Sequence, residues 1–214
     1  MKCSKEQMTL YAVTDRRWLG EKTLYAAVEE CLKGGATFVQ LREKELDRTR
    51  FLAEAAALKA LVRKYGVPFV INDDVEIALA CGADGVHVGQ EDMESGAARA
   101  ALGRDKILGV SVHSVEEALK AQACGADYLG AGAVFSTGTK ENASCLSCET
   151  LKAICDAVSI PVVAIGGING ENIARLRGTG IGGVAVVSAL FAQKDIEDAA
   201  RKLKNLSQEV FYNV

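Results

Sequence analysis

The sequence has few histidines, few prolines and no long apolar run, and these shortages exclude several classes of protein. No stretch approaches the roughly 18 uncharged apolar residues of a membrane span, and the first residues lack the apolar segment of a signal peptide. The formal charge of −3 comes from interleaved acidic and basic residues, so no basic stripe is present for nucleic acid or anionic lipid. We therefore expect a cytoplasmic protein whose partners are small molecules, with no nucleic-acid or membrane partner. A homo-oligomer is compatible with these features.

Cysteine usage points to an intracellular protein with reduced thiols. The seven cysteines are an odd number scattered along the chain, unlike the disulfide framework of a small secreted domain. Cys145 and Cys148 form a lone CxxC pair, but no second pair or nearby histidine completes a zinc site, because His87 and His113 are the only histidines. A metal or redox role for the CxxC pair is therefore the less favoured alternative.

Four segments share one pattern, in which a glycine that ends a helix precedes an apolar run. They begin at Gly35, Gly82, Gly125 and Gly180, so their spacings are 47, 43 and 55 residues. Each interval contains one further apolar run, at residues 67–71, 107–110 and 160–165. The repeat unit is therefore two strands and two helices, and the first run at residues 9–13 brings the number of predicted strands to eight.

Amphipathic stretches separate these runs and predict the helices. Residues 47–65, 114–124 and 147–158 carry apolar side chains at three- and four-residue spacing, and a last such stretch runs from 195 to about 210. Eight strands alternating with eight helical segments predict an α/β fold, a single (β/α)8 TIM barrel over residues 1–214. The alternative is an open doubly wound sheet, but its glycine fingerprint is missing after the first run.

Polar residues follow nearly every predicted strand, where barrel enzymes place their sites. The second run ends in the sequence QLREK at residues 40–44, and the two-residue strand period puts Gln40, Arg42 and Lys44 on one face. Two cations directed into a barrel mouth indicate a multiply charged anion between them. A solvated loop, in which the adjacent glutamates neutralise these cations, is an equally open alternative.

Carboxylates follow the third and fourth runs. Asp73 and Asp92 would lie at neighbouring strand tips, about 5 Å apart, and carboxylate oxygens are ligands that Mg²⁺ prefers. The pattern predicts a diphosphate–magnesium arrangement. The alternative is that Asp74 and Asp92 merely cap the helices that follow, which is plausible for Asp74 and less so for Asp73. His87 lies inside an apolar run, so we expect a satisfied core residue there rather than a ligand.

Hydroxyls, glycines and one ammonium group follow the later strands, and the donors after the seventh and eighth runs are neutral. The loop after the sixth run has the sequence TGTK at residues 137–140, the seventh run ends in Gly166 and Gly167, and Ser188 follows the eighth. Backbone donors after strands seven and eight form a common phosphate site in barrels, which we favour here over a simple tight turn. Two separate anion sites would allow two phosphorylated substrates to be held at once.

These motifs resemble, in order and spacing, those of the thiamine-phosphate synthases over almost the entire chain. The matching segments are QLREK at 40–44, IND at 71–73, HVGQED at 87–92, TGTK at 137–140, GGI at 166–168 and VS at 187–188. Ser136 departs from the family, which usually has proline there. The resemblance implies transfer of hydroxymethylpyrimidine from its diphosphate to the nitrogen of a thiazole phosphate. Pyrophosphate is released and, from a carboxylated thiazole, CO2.

The resemblance also implies residue roles and a mechanism. The pyrimidine diphosphate would be bound by Gln40, Leu41, Arg42, Glu43, Lys44, Asn72, Ser111 and Lys140. Four of these would serve catalysis, namely Arg42, Lys44, Ser111 and Lys140. The thiazole phosphate would be bound by Thr137, Gly138, Thr139, Gly167, Val187 and Ser188, and Mg²⁺ by Asp73 and Asp92. The implied mechanism is dissociative and needs no general base.

Three other functions stay open from sequence. A thiazole tautomerase of the same fold would need a proton-shuttling residue and no magnesium carboxylates. An epimerase or aldolase barrel would need a placed acid–base pair or a Schiff-base lysine. A non-catalytic phosphate sensor would bind ligand and release no pyrophosphate.

Overall fold

A computed structural model of the chain describes residues 3–89, 95–136 and 145–212. Eight parallel strands close into a barrel in chain order, with β8 paired to β1. They are β1 (Leu10–Val13), β2 (Phe38–Leu41), β3 (Phe69–Asn72), β4 (Gly85–Val88), β5 (Ile107–Val112), β6 (Tyr128–Gly132), β7 (Val162–Ile165) and β8 (Gly183–Val186). The predicted (β/α)8 barrel is confirmed.

Helices lie outside the barrel and follow the strands. They are α1 (Leu24–Lys33), α2 (Arg48–Lys64), α3 (Val75–Ala80), α4 (Ser95–Leu102), α5 (Val115–Ala123), α6 (Cys148–Ala157), α7 (Ser188–Phe191) and α8 (Ile196–Phe211). Six of them begin directly after a residue whose side chain accepts a backbone N–H bond, namely Thr23, Asp47, Asp74, Ser114, Ser147 and Asp195. The predicted helical ranges started at four of these residues, Asp47, Ser114, Ser147 and Asp195. The segment after β7 is a 3₁₀ helix, Ile173–Leu176, rather than an α-helix.

The glycines that define the repeat occupy the left-handed region of backbone conformation. Gly35, Gly82 and Gly125 have φ of +98°, +69° and +89° and follow α1, α3 and α5. Gly180, before β8, has φ of +88°. A residue with a Cβ atom is strained in this conformation, so the repeat records a backbone requirement at the ends of helices.

Buried side chains form two layers. One lies between the strands and the helices, and the other fills the barrel with residues that include Tyr11, Phe38 and Tyr128. The ring of Tyr128 fits because its neighbour on β5 is Gly109, where an added Cβ would lie 2.1 Å from Cζ of Tyr128. The interior layer closes the barrel from below and forms the floor of the opening at the carboxyl ends of the strands.

All seven cysteines are free. Cys145 is exposed, and Sγ of Cys148 donates to the carbonyl oxygen of Arg175 at 3.6 Å. Within residues 3–89, 95–136 and 145–212, no group of three or more His, Cys, Asp and Glu side chains is arranged for a metal ion. No helix in that part of the chain is long and apolar enough to cross a membrane.

Candidate active site

A pocket opens at the carboxyl ends of the strands, and every strand or the loop after it contributes to its lining. The sequence-predicted residues in the lining are Gln40, Arg42, Asn72, Ser111, Gly167, Val187 and Ser188. Five further predicted residues, Asp92, Thr137, Gly138, Thr139 and Lys140, lie outside the described part of the chain. The fold therefore brings the predicted residues of β2, β3 and β5 into one cavity with those that follow β7 and β8.

Two side chains of the predicted pyrimidine group face away from this pocket. Leu41 is fully buried between the barrel and the helices, because the strand period turns it outward. The carboxylate of Glu43 accepts hydrogen bonds from Arg16 and from the backbone N–H groups of residues 44–46. Neither residue lines the pocket, and a ligand contact by Leu41 or Glu43 stays a prediction.

The segment after β1 supports the charged loop after β2. Oγ1 of Thr14 accepts from the backbone N–H of Arg42 at 2.9 Å. The buried carboxylate of Asp15 lies 4.0 Å from the Arg42 guanidinium and accepts from Arg17 at 2.6 Å. The hydrogen bond from the Arg17 side chain holds the pKa of Asp15 below its ordinary value despite burial. Asp15 therefore stays ionised beside Arg42.

The neutralising partner of Glu43 is Arg16 rather than a cation of its own loop. Nη2 of Arg16 lies 2.7 Å from Glu43 and 2.5 Å from Glu54. Burial raises the pKa of Glu43, but the backbone N–H of Glu45 and the Arg16 guanidinium outweigh burial, so its pKa is lowered. Glu43 is therefore paired with Arg16 and not with Arg42 or Lys44, which disfavours the solvated-loop alternative.

Asp73 has an unusual backbone and a charged neighbour. Its φ is +63°, a left-handed value that costs a non-glycine residue about 1 kcal/mol, and such strain is concentrated at functional sites. Its carboxylate accepts from the side-chain amide of Asn72 and lies 3.3 Å from Nζ of Lys44. Asp74, in contrast, caps α3 by accepting from the N–H of Ile77 at 2.8 Å. The capping alternative therefore holds for Asp74 and not for Asp73.

The glycine pair after β7 has a structural reason of its own. Gly166 and Gly167 have φ of +102° and +65°. A Cβ at Gly166 would lie 2.4 Å from Cβ of Ala133, and one at Gly167 would lie 2.4 Å from the carbonyl oxygen of Ser136. The chain after β6 packs directly on the pair, so packing alone requires glycine here. Phosphate binding by Gly167 stays a prediction, as it does for Ser188, the first residue of α7.

A chain of hydrogen bonds crosses the floor of the pocket. Nε2 of Gln40 donates to the hydroxyl of Tyr11 at 2.7 Å, and that hydroxyl lies 2.7 Å from the hydroxyl of Tyr128. Nδ1 of His87 lies 2.9 Å from the Tyr128 hydroxyl, and its Nε2 lies 2.9 Å from Oγ of Ser111. His87 is buried and hydrogen-bonded, as expected, but it also lines the pocket, which the sequence interpretation missed.

Comparison with known proteins agrees with the architecture and with the motifs. Residues 10–190 match the family model described as thiamine monophosphate synthase. The chain is 54% identical to thiamine-phosphate synthase of Ruminiclostridium cellulolyticum over 98% of both chains, and 52% identical to that of Clostridium acetobutylicum over 90% of this chain and 91% of that one. A solved structure of thiamine phosphate pyrophosphorylase from Pyrococcus furiosus is 41% identical, with a TM-score of 0.89 over 96% of this chain and 98% of that one. In sequence and in fold, this chain belongs to the thiamine monophosphate synthase family.

Proposed function

We propose that this protein is a thiamine-phosphate synthase, a transferase of thiamine biosynthesis acting on hydroxymethylpyrimidine diphosphate and a thiazole phosphate. The bond between the pyrimidine methylene carbon and the diphosphate oxygen breaks, and its electron pair leaves with pyrophosphate. The thiazole nitrogen then supplies the pair for the new carbon–nitrogen bond, with loss of CO2 when the thiazole carries a carboxylate. The observation that carries the proposal is one pocket with two unlike sides, cationic at Arg42 and neutral at Gly167 and Ser188.

On the cationic side, we assign the leaving diphosphate to Arg42 and Lys44. Arg42 lines the pocket, and its backbone N–H is held by Oγ1 of Thr14. A planar fork held in place can donate to charge that develops on the leaving oxygen without reorganising during the reaction. Lys44 lies at the edge of the same region, where Nζ contacts Asp73. Lys140 belongs to this group by family resemblance.

Mg²⁺ fits the chemistry of Asp73. Its carboxylate offers hard oxygen ligands and already has a cation, the Lys44 ammonium, at 3.3 Å. We therefore assign Asp73 to the metal, with Asp92 as the second ligand by family resemblance. When bound, Mg²⁺ supplies positive charge that stabilises the diphosphate oxygens. The hydrogen bond from Asn72 and the contact with Lys44 orient this carboxylate before any ligand arrives.

The rest of the pocket would position the pyrimidine and protect the transient cation. Gln40 and Ser111 present polar groups from the floor. Asn72 is the last residue of β3 and directly precedes Asp73. Ile168, Ala185 and Val187 add apolar surface on the side that we assign to the thiazole phosphate, which limits attack by water. Both ring nitrogens of His87 are engaged, with Tyr128 and Ser111. This arrangement suits a reaction that needs no general base.

The proposal also covers the cellular location and the partners of the protein. Both substrates are small charged molecules of biosynthesis, so we place the reaction in the cytoplasm, with no nucleic-acid or membrane partner. A homo-oligomer is compatible with it.

The deciding experiment is incubation with both substrates and Mg²⁺, followed by mass detection of thiamine phosphate and of pyrophosphate. We expect both products, and neither with one substrate alone. Isomerisation of the thiazole without the pyrimidine would support the tautomerase alternative. Saturable binding of either phosphorylated compound without pyrophosphate release would support the sensor.

A further inference from the structure

The hydrogen bonds that cross the floor of the pocket all run in one direction. Nε2 of Gln40 donates to the hydroxyl of Tyr11, which in turn has one hydrogen of its own to donate. Burial raises the pKa of Tyr11 and, well above the ordinary value, that of Tyr128, so both phenols keep their hydrogens. The next partner of Tyr11 is the Tyr128 hydroxyl, at 2.7 Å.

One arrangement gives every hydrogen in this row an acceptor. Tyr11 donates to Tyr128, Tyr128 donates to Nδ1 of His87, and Nε2–H of His87 donates to Oγ of Ser111. The reverse direction between the phenols would leave the hydroxyl hydrogen of Tyr11 without an acceptor inside the barrel, and buried polar groups are rarely left so. The row therefore runs from Gln40 on β2 to Ser111 on β5.

The direction determines what the floor offers to a ligand. Because Gln40 uses Nε2 for Tyr11, its Oε1 is left as the acceptor. Because Oγ of Ser111, which lines the pocket, accepts from His87, the hydrogen of the Ser111 hydroxyl is donated away from His87. An aminopyrimidine has the matching edge, since its exocyclic amino group donates and a ring nitrogen accepts. The oxo analogue, with oxygen in place of the amino group, has the inverse pattern.

We infer that Tyr11, Tyr128 and His87 are positioning residues that fix this donor and acceptor pattern and so make the pocket select an amino over an oxo pyrimidine. The inference rests on the proposed function for the identity of the ligand. Selection of this kind is strong because the wrong heterocycle leaves buried polar groups unpaired.

The tautomer of His87 tests the direction without any substrate. The sequence has only two histidines, so ¹⁵N spectra of histidine-labelled protein contain two imidazoles, and His113→Gln assigns them. In the ligand-free protein we expect a hydrogen on Nε2 of His87 and none on Nδ1, as the direction of the hydrogen bonds requires. A hydrogen on Nδ1 would overturn the inference even if the enzyme makes thiamine phosphate normally.

Selectivity tests the consequence. Tyr128→Phe removes the middle hydroxyl and keeps the ring, so the ratio of kcat/KM for the amino substrate to that for its oxo analogue should fall by about tenfold, the effect of one hydrogen bond. The KM for thiazole phosphate should not change. The matched control is Tyr212→Phe, because the Tyr212 hydroxyl bonds the carbonyl oxygens of Lys5 and Gly182, at the opposite end of the barrel. Its ratio should equal that of the wild type.

Folding is checked by the thermal midpoint of each variant, and Tyr11→Phe, which interrupts the same row, replaces Tyr128→Phe if the latter does not fold. Equal losses of kcat/KM for the amino and oxo pyrimidines would overturn the inference. An unchanged ratio in a folded Tyr128→Phe or Tyr11→Phe variant would overturn it too. A wild-type protein that forms no thiamine phosphate would instead contradict the proposed function. The His87 spectrum would still report on the direction of the row of hydrogen bonds.

Discussion

The two sides of the barrel mouth present different chemical groups. The side of β2 and β3 uses charged side chains, and each has a second charged group behind it, as Asp15 has Arg17 and Glu43 has Arg16. The side of β7 and β8 uses backbone, glycines in left-handed conformations and one serine. The first side can stabilise charge that changes during a reaction, whereas the second is suited to a group whose charge stays constant. Changes on the two sides should therefore affect different kinetic parameters.

The largest effect should come from removing the metal or its carboxylate. Excess chelator should abolish product formation and Mg²⁺ should restore it. Asp73→Asn keeps the size and tolerates the left-handed backbone, so turnover should fall on the order of a hundredfold or more with little change in thermal midpoint. Asp156→Asn, on the exposed part of α6, is the control. Full turnover in excess chelator would refute the metal assignment.

Arg42→Ala should produce the next largest effect, and mainly on kcat. If the guanidinium stabilises the leaving diphosphate, kcat should fall on the order of a hundredfold. Arg42→Lys should recover only part of it, because an ammonium lacks the planar fork. Arg201→Ala on α8 removes an exposed arginine and should leave both parameters unchanged. A normal kcat with weakened thiazole affinity would mean that the two sides are reversed.

Ser188→Ala should have a smaller effect, confined to one substrate. A neutral donor that contacts the thiazole phosphate in ground and transition states contributes about 1 kcal/mol to both, so the KM for thiazole should rise by about tenfold at nearly constant kcat. Ser159→Ala, which removes a hydroxyl bound to Gln122, is the matched control. A fall in kcat with no change in thiazole KM would place Ser188 among the groups that act on developing charge.

The smallest effect should be on stability at low pH. Arg17 lowers the pKa of Asp15 in the folded state, so the stabilisation is present above the unfolded pKa near 4 and is lost as pH falls through the lowered value. The effect should be small, because Arg17 is half exposed and its pair with Asp15 is screened by water. Urea unfolding from pH 6 to pH 2 measures it. Asp15→Asn and Arg17→Gln should each remove the same part of the pH dependence, and a wild-type slope in either would contradict the assignment.

Most of the fold could be predicted from sequence because its determinants are local. Glycines such as Gly82 and caps such as Asp47 act within a few residues of where they stand, and apolar periodicity gives the rest. The 3₁₀ helix Ile173–Leu176 was harder, since nothing in the spacing separates it from a short α-helix. For the site, strand-end position was enough to find Gln40 and Ser111.

What the sequence could not provide depends on contacts between distant strands. Tyr11 and Tyr128 are 117 residues apart and read as ordinary core aromatics, and the support of Arg42 by Thr14 spans 28 residues. Leu41 and Glu43 were included with their neighbours because a continuous motif does not say which way each side chain turns. Tyrosine at an interior strand position, on the same face as a polar strand-end residue, is the signal that would have pointed to the floor.

Because Gly109 has no side chain, the residues tolerated at positions 109 and 128 depend on each other. The ring of Tyr128 fills the space where a Cβ at residue 109 would stand, 2.1 Å from Cζ and 2.3 Å from the hydroxyl oxygen. Whether a mutation at either position is tolerated therefore depends on the residue at the other. Alanine at 109 becomes tolerable only after a smaller residue replaces Tyr128, and that replacement also ends the hydrogen-bonded row. Across relatives the two positions should covary, and chains that gain a side chain at 109 should have a floor with a different preference for the heterocycle.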